Sequence, residues 1–124
     1  MSCNVCIGTS DYDGPEFYVL EIRLSRKPHG CRECSRTIER GELYEHVSAK
    51  WDGSPATVNT CRQCAEIRNV FSCGEGYVHG RLWENMTEVA FPQLTTATDC
   101  FRELSSEGKA FLLDKWRKWK FAQV

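Results

Sequence analysis

Cysteines at positions 3, 6, 31, 34, 61, 64, 73 and 100 carry most of the chemistry legible in this chain. Six of them form three C-x-x-C pairs: Cys3/Cys6, Cys31/Cys34 and Cys61/Cys64. Paired thiols at that spacing suit a redox couple, a disulfide framework or a metal site. A thioredoxin-like redox site needs one activated pair at a helix start within a βαβ pattern, and the chain has three pairs and no such alternation. A secreted disulfide scaffold usually occupies a shorter chain behind a signal peptide. The opening MSCNVCIGTSDYDG has neither the basic nor the apolar region of such a signal, so a reducing cytoplasm is the expected setting.

Metal binding is therefore the favoured chemistry. Cys31, Cys34, Cys61 and Cys64 supply four soft thiolates, enough to close a tetrahedral shell around one zinc ion. Twenty-six residues separate Cys34 from Cys61, more than the about 15 to 20 of the commonest version, so the spacer has to be a structural element. Cys3, Cys6, Cys73 and His79 remain as a candidate set for a second zinc, with Gly74, Gly76 and Gly80 easing the loop. Two topologies are open: one ion per set, or alternate pairs interleaved as in cross-braced modules. Cys3 and Cys6 alternatively belong to a frayed terminus, and His79 to an ordinary surface. His29 and His46 are weaker ligand candidates. Cys100, in DCFREL, reads as a buried structural thiol on a helix.

Several elements must bring the four sulfurs together. After Cys34, a turn at Glu39-Arg40-Gly41 precedes a strand in which Leu43, Val47, Ala49 and Trp51 share a face that Glu45 interrupts. Asp52-Gly53 tolerates the positive φ of a tight turn, and Ala56-Thr57-Val58 returns as a partner strand. Thr60-Cys61-Arg62-Gln63 has the form of a capping box, placing Cys61 and Cys64 in the first helical turn. Cys64, Ile67 and Phe71 then lie on one helical face, so one helix supplies both a ligand and a packing stripe.

The order of knuckle, hairpin and helix resembles treble-clef zinc fingers over residues 27–71. KPHGCRECSRTIERGELYEHVSAKWDG, followed by TCRQCAEIR and GRLWENM, is similar to small cysteine-rich proteins of tailed phages and prophages. That resemblance implies a phage accessory protein in a bacterial cytoplasm, a candidate inhibitor of a host enzyme or defence complex.

Around this core, FYVLEIRL alternates so that Tyr18, Leu20, Ile22 and Leu24 share a face, the pattern of a strand with one side buried. The acidic lead-in at Asp11, Asp13 and Glu16 reads as a solvated loop, because it lacks the rest of a calcium loop. GRLWENMTEVA predicts a short helix ended before Pro92. Thr96 to Asp99 and Ser105 to Glu107 open two more helices, the second with a stripe of Leu112, Trp116 and Trp119. The expected fold class is α+β, with a treble-clef-like domain over residues 1–91 and a helical extension over 92–124 packed on it.

With 17 acidic and 16 Lys and Arg residues the formal net charge is −1, which gives no support to nucleic-acid binding by overall charge. No window approaches the roughly 18 apolar residues of a membrane span. Lys115, Arg117, Lys118 and Lys120 stand among tryptophans, and Arg32, Arg36, Arg40 and Arg62 surround the knuckle, so nucleic-acid binding is the runner-up function. The deaminase motif with Pro before C-x-x-C is absent, Thr60 standing there, and four cysteine ligands leave no position for a catalytic water. The leading expectation is a non-catalytic, zinc-stapled module that binds a protein partner. Oligomeric state has no signature here.

Overall fold

The computed structural model describes residues 5–8, 17–51, 53–73, 78–96 and 98–122. Cys3, Asp11, Asp13, Glu16, Asp52, Gly74, Gly76 and Ala97 lie outside the described residues, as does the side chain of Trp51.

A three-stranded antiparallel sheet, in the order β1-β4-β5, combines β1 (Phe17–Leu24), β4 (Leu43–Trp51) and β5 (Ser54–Cys61). Between β1 and β4 the chain makes a miniature hairpin of β2 (His29–Gly30) and β3 (Thr37–Ile38), whose loop is the Cys31–Cys34 knuckle. Gly41, at φ +92°, turns the chain from β3 into β4, and Gly53, at φ +78°, turns β4 into β5. The long spacer is thus a β-hairpin, with a return strand longer than the three residues that the sequence pattern marked out.

Helix α1 (Arg62–Phe71) follows β5 without a loop. Cys64, Ile67 and Phe71 are all fully buried, as their spacing predicts. The cap differs from expectation. Cys61, in extended conformation at φ −66° and ψ 157°, is the N-cap and makes no side-chain capping bond. Thr60 is instead the penultimate residue of β5, drawn into the sheet opposite Glu45. Pairing with β4 thus overrides the local capping motif and moves the helix start one residue downstream.

Beyond α1, helix α2 (Leu82–Asn85) continues into a π-helical turn (Met86–Ala90) and a 3-10 turn (Phe91–Gln93). Leu82, Met86, Ala90 and Phe91 are buried along this segment. Short α3 (Asp99–Arg102) starts after Thr98 rather than Thr96, and long α4 (Ser106–Ala122) follows. Ser105 caps α4 by accepting the Gly108 amide at 3.0 Å, and its own amide and hydroxyl donate to Glu66 of α1 at 2.7 and 2.8 Å. Leu112 is fully buried, with Phe111, Leu113, Trp116 and Trp119 packed against the core. One core cluster joins Ile38, Cys61, Ile67 and Phe71 to Leu94, Phe101, Leu104 and Leu112, across Pro92.

Two further expectations are corrected. All eight residues of β1 are exposed, so its alternating face is not buried: α1 covers the sheet at Glu45 and Thr60 and stops short of Ile22 and Leu24. The polar interruption of β4 is itself a core feature. Glu45 accepts from both terminal guanidinium nitrogens of Arg68 at 2.6 Å, with the two side chains 3% and 2% exposed, bolting α1 to the sheet.

Candidate metal centre

The knuckle is built by short backbone bonds. The Cys31 amide donates to Arg36 O at 2.8 Å, the Ser35 amide to Cys31 O at 2.9 Å, and the Arg32 amide to Asn59 O of β5 at 2.8 Å. Ser35 closes the turn in the left-handed region, at φ +63°. This fold of the chain turns Cys31 and Cys34 toward the junction of β5 and α1, where Cys61 ends the strand and Cys64 stands in the first turn of the helix.

The four sulfurs of Cys31, Cys34, Cys61 and Cys64 all lie within 4.8 Å of one another. Cys34 Sγ and Cys61 Sγ are 3.9 Å apart. Zinc at about 2.3 Å from four tetrahedral sulfurs sets sulfur pairs roughly 3.8 Å apart, close to the 3.9 Å of Cys34 and Cys61 and within the 4.8 Å limit of the cluster. Three of the four residues are buried and Cys34 is half-buried. The Cys61 amide points at Cys31 Sγ from 3.3 Å, a donor suited to thiolate charge.

The four thiols share protons unevenly. The Cys31 thiol is held low, first by hydrogen bonding from Cys34 and then from Cys61 and Cys64. Cys34 lies at about 6, pushed up by Cys31 and pulled lower by Cys61 and Cys64. Cys61 and Cys64 are both pushed up, first by Cys31 and Cys34. Sulfurs this close cannot all ionise against one another, whereas a divalent ion favours four thiolates together. Arg36 stands beside them, bonded to Glu42 at 3.1 and 3.3 Å and to Gln63 at 3.2 Å, its guanidinium held charged by Glu42 and by the Cys61 sulfur.

The second candidate set does not assemble as a shell among the described residues. Cys6 and Cys73 are joined to each other as a disulfide. Cys73 stands just past α1 at φ +56°, and Ile7 N bonds Phe71 O at 2.8 Å, so the 5–8 segment lies along the helix end with Val5 and Ile7 buried. That segment is therefore held in place rather than frayed. His79 lies beside Tyr18, with Nε2 3.2 Å from the phenol oxygen. Cys100 is buried as expected but is disulfide-bonded, not a thiol. His29 stacks on Tyr44 with centroids 5.0 Å apart, and His46 Nδ1 lies 2.7 Å from Asn59 Oδ1.

Sequence reasoning missed the disulfides because pairing across 67 positions leaves no local trace. It missed the Arg68–Glu45 bolt too, although a glutamate inside an apolar alternation was its signal. Among the described residues no helix is long and apolar enough to cross a membrane. Fold and site together define a small mixed α/β protein with a four-cysteine cluster placed to hold one metal ion, consistent with zinc. Set against family models, curated proteins and solved structures, the chain has no match.

Proposed function

We propose that this chain is a non-catalytic module in which one zinc ion, held by Cys31, Cys34, Cys61 and Cys64, staples a treble-clef-like fold whose surface binds another protein. The observation that carries the reading is the mutual 4.8 Å approach of four sulfurs drawn from a knuckle and a strand–helix junction. Four cysteine ligands complete a tetrahedral shell, which suits a structural ion and leaves no position for a substrate or water. Four of the eight cationic groups that suggested nucleic acid, Lys115, Lys118, Lys120 and Arg36, have partners within the chain. Lys115 sits over the Trp83 and Phe111 rings at 5.6 and 5.5 Å, and Lys120 over Trp116 at 4.5 Å. Lys118 pairs with Asp114 at 3.0 Å, and Arg36 with Glu42. A role as a phage factor acting on a host enzyme or defence complex rests on the sequence resemblance alone.

Nucleic-acid binding is kept as the second reading on one observation. Arg23, Arg26, Lys27, His29 and Tyr44 line a cleft of about 770 Å³ beside the knuckle, combining charge with a stacked aromatic pair. Two measurements separate the readings. Capture of a single stoichiometric protein from nuclease-treated bacterial lysate supports the first. A gel shift that weakens steeply with salt and is lost in Arg26→Ala/Lys27→Ala supports the second.

A further inference from the structure

β1 is an edge strand, and no strand lies on its outer side among the described residues. Such an edge presents a row of backbone donors and acceptors ready for another strand. Here the row is flanked by apolar side chains: Leu20, Ile22 and Leu24 are 41%, 64% and 61% exposed, with Leu43 of β4 at 46% beside them. An apolar groove of about 420 Å³, lined in part by Ile22, Leu43, Ala65 and Val70, opens on the same face where α1 stops short. Glu21 and Arg23 occupy the opposite face, joined to each other at 3.1 Å and half-exposed.

We propose that residues 20–24 pair antiparallel with the same residues of a second copy of this chain, about a two-fold axis at Ile22, making one six-stranded sheet. Charge complementarity selects this occupant and this register. Centring on Ile22 sets Glu21 of each copy opposite Arg23 of the other, twice by symmetry, with Leu20 opposite Leu24 and Ile22 opposite Ile22. Centring on Glu21 or on Arg23 would oppose like charges. Centring between two residues would set apolar side chains against charged ones and break the continuity of the two faces. In the chosen register Leu20 and Leu24 of the second copy stand beside Leu24 and Leu20 of the first, covering apolar surface that α1 leaves bare. The pairing does not depend on the protein-partner reading above.

The test is the mass in solution of the full, metal-loaded chain, by light scattering behind size exclusion at up to about 100 µM. Wild type is expected at twice 14.2 kDa at the upper concentrations, dissociating on dilution. Arg23→Glu opposes two glutamate pairs and is expected to weaken the dimer roughly tenfold or more, with circular dichroism and metal content unchanged. Glu21→Arg combined with Arg23→Glu restores the opposed charges and is expected to restore the dimer. A wild type that stays monomeric overturns the proposal. So does Arg23→Glu dimerising as tightly as wild type, a double variant that fails to recover, or a monomer that takes up only a foreign strand peptide.

Discussion

At the scale of single residues, Ser35 and His79 illustrate constraints set by backbone and burial. Ser35 holds the knuckle at φ +63°, a region in which a side chain costs about 1 kcal/mol or more and glycine nothing. Ser35→Gly is accordingly expected to raise stability by about 1 kcal/mol in urea melts without changing metal content; a loss of stability would show that the hydroxyl matters. The His79 imidazole is held at about 4, first by burial and then by the charge of Arg68. Its unfolded value is near 6.5, so the unfolded chain takes up the proton first. This contribution to stability is complete above about 6.5 and is lost as pH falls toward 4. His79→Gln, which does not titrate, is expected to show a shallower decline of melting temperature across that window, while acid release of metal affects both proteins alike.

At the scale of elements, a buried ion pair links α1 to β4. Glu45 and Arg68 meet through two bonds of 2.6 Å in the core, where Arg68 also donates to Asn69 Oδ1 at 3.0 Å, and losing either partner leaves the other charge buried without its counter-ion in this pair. Glu45→Ala or Arg68→Ala is each expected to cost about 3–5 kcal/mol, whereas Glu45→Leu with Arg68→Met, which removes both charges and fills the space, costs far less. Denaturant unfolding of the four proteins measures the difference, and additive losses in the double variant would contradict a coupled pair. The α1–α4 contact works by another device. Glu66 accepts the amide and hydroxyl of Ser105 at the start of α4, and Gly108 leaves room for its carboxylate, since a Cβ there would collide with Glu66 Oε1.

At the scale of the whole molecule, a four-cysteine cluster placed to hold a metal ion and a disulfide join distant segments independently. The sulfur cluster ties the knuckle to the strand–helix junction, and Cys6–Cys73 ties residues 5–8 to the far end of the same helix. Native mass spectrometry is expected to find one zinc per chain, and a chelator is expected to unfold the core with it. Cys61→Ser removes the ion and the cooperative melt. Cys73→Ser keeps the ion and loses about 2–4 kcal/mol, the usual effect of opening a long loop. Two zinc ions per reduced chain would instead restore Cys3, Cys6, Cys73 and His79 as ligands.

Local chemistry was readable from the residues alone. Two C-x-x-C pairs announced a four-cysteine cluster, Gly41 and Gly53 announced turns, and the period of Cys64, Ile67 and Phe71 announced a buried helical face, because each signal lies within one turn or one hairpin. Tertiary structure decided what depends on distant partners. It set Glu45 against Arg68, joined Cys6 to Cys73, drew Thr60 into the sheet, and left the alternating face of β1 in solvent. Alternation shows that a strand has an apolar side, but only the reach of the packed helix determines whether anything covers it.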